Sequence, residues 1–249
     1  MDIVTSLVAS RLTAQQRALD VTANNIANAN TPGYRTQRVQ FSDWVDRQPG
    51  GRSGTANGDK TIVYTQDRAT WREARSGTLL HTGNPFDLAL TGDGYFTVNT
   101  RNGPRLTRDG RFGLLPDGTL ADTAGNAVLN TNGRPILLAP EDTNVSVAAD
   151  GSVSSSNGPV GKIGVVVPNN PRQLSAEGAT QLASSAPTAP AGNPGIVQGA
   201  IENSNVEPVL ELTRMTDNAR QFEMLTQFVQ AEADRHQAAI DKILPQGGA

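Results

Sequence analysis

His81 and His236 are the only imidazoles available as a proton-transfer base near neutral pH, and they stand far apart in the sequence. No thiol is present, so disulfides, a thiolate nucleophile and cysteine metal sites are all excluded. His81 can be drawn with nearby Ser and Asp as a triad, but no nucleophile-elbow motif accompanies it. Gly50-Gly51-Arg52-Ser53-Gly54 and Gly92-Asp93-Gly94 are followed by no Gly-Lys-Ser/Thr, and no dinucleotide fingerprint is present. Asp-Gly recurs at 93–94, 109–110, 117–118 and 150–151, where carboxylates could hold calcium, yet the spacing fits neither an EF-hand loop nor a nonapeptide repeat. The same dipeptide suits tight hairpin turns, which is the reading we adopt. The residues therefore predict no enzyme, no cofactor, no metal and no small-molecule substrate.

The polar chemistry that stands out is amide chemistry. Asn24, Asn25, Asn28 and Asn30 crowd one short stretch that ends in Thr31-Pro32-Gly33-Tyr34. An amide donates and accepts at once, and Asn competes with a helix unless its side chain finds partners elsewhere. Pro32 disfavours helical dihedrals at Thr31, and Gly33 allows a sharp change of direction.

The element carrying this patch is an amphipathic helix predicted over residues 3–29. Ile3, Val4, Leu7, Val8, Leu12, Leu19 and Ile26 recur at helical spacing, with Leu12, Leu19 and Ile26 on a seven-residue step. A second helix is predicted over 205–244, with Ser204 and Glu207 placed as a capping box and Pro208 near its start. Leu212, Ala219, Thr226, Ala233 and Ile240 form one seven-residue series, and Met215, Phe222, Val229, His236 and Ile243 form another. This is the pattern of a coiled-coil seam, widened by Leu225 and Phe228. The helices at the two ends of the chain are expected to pack on each other, with apolar surface left for neighbouring subunits.

Between them lies β structure. Strands are predicted at 88–90, 95–98, 105–107, 112–115, 127–129, 136–138, 145–147 and 164–167, in a chain with 25 Gly and 15 Pro. Residues 34–75 read as a connector containing a strand at 61–65, and residues 48–58 as a turn-rich stretch. Residues 183–195 read as a linker. The fold class is α+β, with long terminal helices as a coiled-coil-like pair around a central, mostly antiparallel β domain. Four parts follow: an N-terminal helix at 1–30, a connector at 31–75, a β domain at 76–198 and a C-terminal helix at 199–249.

A net charge of −3 provides no electrostatic case for nucleic acid. Asp2 and the first basic residue at Arg11 do not suit a cleaved leader, and no stretch has the roughly 20 apolar residues of a membrane span.

The stretch from Leu19 through Asn28 to Thr31-Pro32-Gly33-Tyr34 resembles the N-terminal signature of the bacterial flagellar rod and hook family. Further stretches are similar to that family in the same order. They are Leu90-Thr91-Gly92-Asp93-Gly94-Tyr95-Phe96, then Leu106-Thr107-Arg108-Asp109-Gly110-Arg111-Phe112 with 117–120 and 124–126, and finally Gly199 through Asn203, Ser204, Asn205 and Val206. The resemblance implies a structural subunit of the basal-body rod, crossing the periplasm and exported through the flagellar type III apparatus without a cleaved signal peptide. Its partners would be copies of itself and other rod proteins. Its terminal helices would form an inner tube and its β domain would face outward. Chain length and the modest β domain are most similar to a proximal rod subunit, with a distal rod subunit or another rod or hook paralogue as the alternative.

Residues and resemblance together nominate a subunit interface. It comprises Leu12, Leu19, Asn24, Asn25, Ile26, Asn28, Asn30, Pro32, Gly33 and Tyr34 at the first end. At the other end it comprises Asn203, Ser204, Asn205, Val206, Leu212, Met215, Phe222, Leu225, Phe228, Val229 and Ile240. A reading from a different class is a β-domain ligand-binding module whose helical ends serve oligomerisation.

Overall fold

The computed structural model describes residues 3–48 and 60–243, with side chains described for 8–40, 70–171 and 173–241. The chain divides into two units, each discontinuous in sequence. One is Met1–Ile26 with Gln37–Arg72 and Glu207–Ala249, and the other is Ala27–Thr36 with Glu73–Val206.

The first unit holds both long helices. Helix α1 spans Ile3–Ala27, and the chain then turns as the Thr-Pro-Gly signal requires: the Thr31 N–H donates to the Asn28 carbonyl at 3.1 Å, and Gly33 takes φ +69°. Strands β1 (Gln37–Gln48) and β2 (Lys60–Arg72) form one antiparallel hairpin, with a register slip between Gln40 and Phe41. The expected connector is thus a long ribbon at 37–72, and the strand expected at 61–65 lies inside β2. Most of the turn-rich stretch at 48–58 lies outside the described residues.

Helix α2 spans Pro208–Ile243. Pro208 occupies the first helical position, where its missing N–H costs nothing, and the Glu211 N–H donates to the Glu207 carbonyl at 3.0 Å. Ser204 does not complete the expected capping box; its hydroxyl accepts from the Val206 N–H at 3.2 Å. The helices run in opposite senses, with Asn25 beside Glu211 and Gln15 beside Asn218. The covered stripe of α2 passes through Glu211, Asn218, Phe222, Leu225 and Val229, whereas Leu212 and Ile240 are 52% and 49% exposed. On α1 the most buried positions are Val8, Ala14, Val21, Thr22 and Asn25, while Leu12, Leu19 and Ile26 are half-buried.

The second unit is antiparallel throughout. Its strands are β3 (Leu79–His81), β4 (Leu88–Leu90), β5 (Tyr95–Thr100), β6 (Gly103–Thr107), β7 (Phe112–Leu114), β8 (Leu120–Asp122) and β9 (Ala127–Val128). Then come β10 (Ser146–Val147), β11 (Ser152–Ser155), β12 (Gly158–Lys162), β13 (Val165–Pro168), β14 (Leu174–Ala176), β15 (Gln181–Ser184), β16 (Thr188–Pro190), β17 (Ile196–Gln198) and β18 (Ala200–Glu202). The main sheet runs β14-β15-β6-β5-β9-β8-β7, and β13 shares an edge of β5 and carries β16. Pairs β4–β17 and β3–β18 bring the end of the unit back beside its start.

Alternation along β5 buries Phe96 and Val98 between partly exposed neighbours, as a half-buried strand requires. These two join Leu88, Leu90, Phe112, Leu120, Val128, Ile163 and Val165 in the core, where the Phe96 and Phe112 rings meet edge to face at 5.1 Å. Two expectations need correcting. Residues 183–195 are not a free linker, because β16 pairs with β13, and its Pro190 is tolerated on an edge strand. Of the four Asp-Gly pairs, those at 117–118 and 150–151 close hairpins between paired strands. The pair at 109–110 instead lies against β4, where the Leu88 N–H donates to the Gly110 carbonyl at 2.9 Å.

Candidate functional site

Two clusters of buried polar side chains order the sequence-nominated residues, one in each unit. The first is built on Asn25, which is fully buried on the last turns of α1. Its amide pairs with the backbone of Gln37 in both directions at 2.9 Å, as a neighbouring strand would. The same amide nitrogen donates to Glu211 Oε2 at 3.0 Å. Glu211 is also buried, and its Oε1 accepts from Arg38 and Arg214, each at 2.7 Å. Helix α1, strand β1 and helix α2 are thereby tied at one point.

Burial pushes the Glu211 carboxyl up. Hydrogen bonds from Arg38 and Asn25 and the charges of Arg38 and Arg214 outweigh this and hold it below the usual carboxylate range. A group with a lowered folded pKa stabilises the fold above its unfolded value, about 4.3 for Glu, and that contribution fades as the pH falls through the folded value. Amide-exchange protection relative to the intrinsic rate across α1 and the start of α2 is therefore expected to be unchanged from pH 7 to about 5 and to fall below the ordinary glutamate range. A Glu211→Gln variant is expected to lose this acid step, and an unaltered step in that variant would assign it to another group.

The second cluster gathers separate stretches of the chain. Residues 31–36 form a strap whose Pro32, Gly33, Tyr34, Arg35 and Thr36 are all buried. The Gly33 N–H donates to the Glu202 carbonyl at 2.8 Å. The buried Glu202 carboxylate accepts from Arg108 at 3.0 Å and from the Gly77 N–H at 3.2 Å, with Arg35 at 3.5 Å. Arg108 also donates to the carbonyls of Leu90 and Gly92 and lies 5.5 Å from the centroid of the Tyr95 ring. Burial and the nearby Arg35 lower the Arg108 pKa, partly offset by Glu202. Asn205 Oδ1 accepts from both the N–H and the hydroxyl of Thr36 at 2.7 Å, and its amide donates to the Arg75 carbonyl at 2.8 Å.

The nominated interface residues thus fall into three groups. Asn25, Pro32, Gly33, Tyr34, Asn205 and Val206 are buried within their own unit. Leu12, Leu19, Ile26, Asn28, Asn203, Ser204, Phe222, Leu225 and Val229 are half-buried. Asn24, Asn30, Leu212, Met215, Phe228 and Ile240 are exposed. Sequence reasoning passed over Arg35, Arg38, Arg108, Glu202 and Glu211. Arg108 and Glu202 carried a signal, since each is a charged residue inside a stretch quoted for its family resemblance. Among the described residues, no group of three or more His, Cys, Asp or Glu could hold a metal, and no helix is long and apolar enough to cross a membrane.

The strap, the Arg108 segment and the Glu202 strand belong to the segments that known families share. Residues 8–35 match a model described as flagella basal body rod protein, and residues 89–155 one described as flagellar hook protein FlgE/F/G D1 domain. Residues 197–242 match a model described as flagellar basal body rod FlgEFG protein C-terminal. The flagellar basal-body rod protein FlgF of Mesorhizobium japonicum is 36% identical over 91% of this chain and 92% of its own length. The chain belongs to the flagellar basal-body rod protein family. FlgF of Caulobacter vibrioides is 34% identical over 94% of this chain and 95% of its own length, and FlgG of Bacillus subtilis is 36% identical over 84% and 86%. The rod protein described here is most like FlgF. It is a structural subunit of the flagellar basal body and not an enzyme.

Proposed function

We propose that this rod protein polymerises through α1 and α2, packed as a coiled-coil-like pair, with copies of itself and other rod proteins as neighbours and the flagellar type III apparatus as its exporter. In this reading the helical ends at 1–30 and 199–249 form the assembling part, and the connector at 31–75 leads to a β domain at 76–198. The observation that carries it is the apolar surface of α2. Val209, Leu210, Leu212, Met215, Met224, Phe228 and Ile240 are all exposed on one helix, with Met224 at 61%. A helix covered on one side does not ordinarily leave so many large apolar groups in water unless another surface covers them. The exposed Asn24 and Asn30 and the half-buried Asn28, Asn203 and Ser204 supply polar contacts to neighbouring subunits, while the buried Asn25 and Asn205 each hold the segments of their own unit.

Changing Phe228 to Asp tests this reading. The side chain is half exposed, so the folded subunit is expected to keep its thermal midpoint within about 2 °C, consistent with a surface change worth under about 0.5 kcal/mol. Recovery of the variant in isolated basal bodies is expected to fall at least about tenfold, since a charge forced into an apolar contact costs on the order of 2 kcal/mol or more. Wild-type recovery would show that this face of α2 is not an assembly surface.

A further inference from the structure

The apolar surface of α2 is not one patch. At 3.6 residues per turn, Leu212, Met215, Ala219 and Glu223 line one flank of the stripe that faces α1, and Leu210, Met224 and Phe228 line the other. The second flank belongs to a groove of about 470 Å³ with Ala14 and Leu225 at its floor, Met224 and Phe228 as a wall, and Arg11 and Gln15 at its rim. The first flank presents the projecting Leu212 and Met215. Two unlike flanks suit a head-to-tail contact, which repeats indefinitely, and not a two-fold contact, which needs the same patch on both sides.

We propose that successive copies of this chain join along parallel α2 helices offset by three to four turns, with Leu212 and Met215 of one copy seated in the α1–α2 groove of the next. This deepens the reading of the helices as the assembly surface and rests on it. The offset, about 16–22 Å at 5.4 Å per turn, brings three features into register at once. Leu212 and Met215 reach the level of Met224 and Phe228. Ala219 comes opposite the small residue Ala231, which permits close approach. Glu223, exposed on the first flank, comes level with Arg235, whose side chain is 75% exposed on the second. Arg235 already pairs with Glu232 one turn earlier, but a guanidinium has five N–H donors and can serve both carboxylates. Charge complementarity and apolar seating therefore select the same register, and a second copy of this chain carries both.

The absence of native cysteine makes cross-linking a direct test. The full chain carrying both Leu212→Cys and Met224→Cys, expressed in motile cells and oxidised with copper phenanthroline, is expected to give a ladder of dimers and higher species. Neither single variant is expected to cross-link. Dimers from either single variant would mean that like flanks meet, which overturns the proposal. Basal bodies that contain the double variant but yield no cross-link would also overturn it, while leaving helix-mediated assembly intact. Should the cysteine pair fail to incorporate, charge reversal decides. Glu223→Arg and Arg235→Glu are each expected to lower basal-body recovery several-fold, and the double reversal to restore at least half of it. No restoration overturns the contact.

Discussion

Replacing Glu202 with alanine is expected to lower the stability of the β unit by about 3–5 kcal/mol, the range for removing one partner of a buried ion pair. The argument rests on what is left behind. Arg35 and Arg108 are both buried, and Glu202 is the carboxylate that the described residues place against them. The Nε–H groups of both arginines are buried without a hydrogen-bond partner, so the cluster has no spare acceptor to take over. Alanine also strips the Gly77 N–H of its acceptor. For a unit of this size the loss corresponds to a fall in melting temperature of roughly 8–16 °C. Hydrogen-exchange protection across β4, β5 and β18 should drop together. The triple change of Arg35, Arg108 and Glu202 to methionine is expected to be far milder than Glu202→Ala, because no uncompensated charge remains. A loss below about 1 kcal/mol in Glu202→Ala would show that water reaches the cluster.

Much of the fold was legible because its signals are local. Leu88–Leu90 is a strand where a three-residue apolar run predicted one, and both helices end within a few residues of the expected positions. Thr31, Pro32 and Gly33 stop α1 by backbone sterics alone, which needs no knowledge of the rest of the chain. What was not legible depends on partners distant in sequence. Asn25 and Glu211 are 186 positions apart, and Arg108 and Glu202 are 94 apart, so neither pairing leaves a periodic trace. The four asparagines read as one patch because composition cannot separate Asn25, whose amide is satisfied inside its own unit, from Asn24 and Asn30 on the surface.

The strand expected at 136–138 shows the same limit from the other side. Ile136 and Leu138 are buried in the core, yet Leu137 makes only an isolated bridge to Thr119, and Pro135 just before the run has no N–H to add to a ladder. Apolar content identified the core position and not the element. The seam of α2 was displaced in a similar way. Seven-residue periodicity identifies apolar rows, but which row meets α1 is decided by Asn25 and Gln15 gripping Glu211 and Asn218, all polar. The rows through Leu212 and Met215 are thereby left for other surfaces.

Gly33→Ala is the second change expected to have a large effect, and it isolates why the Thr-Pro-Gly turn ends in glycine. Gly33 lies at φ +69°, where an L side chain costs about 1–2 kcal/mol. A Cβ at this position would also sit 2.3 Å from the backbone carbon of Arg108 and the nitrogen of Asp109, which cannot swing away as a side-chain tip can. Relieving that overlap requires a backbone shift costing a further 1–3 kcal/mol or so. The shift would carry the strap off Glu202, breaking the Gly33 N–H bond to its carbonyl and exposing Tyr34. A total loss of at least about 3 kcal/mol is expected, with markedly reduced incorporation into basal bodies. Gly83 provides the control. It has a similar φ of +75°, but nothing lies within 4 Å of its would-be Cβ, so Gly83→Ala carries the strain without the collision. If urea unfolding gives the two variants the same midpoint, the strap does not lie against residues 108–109 as described, and the glycine serves the turn alone.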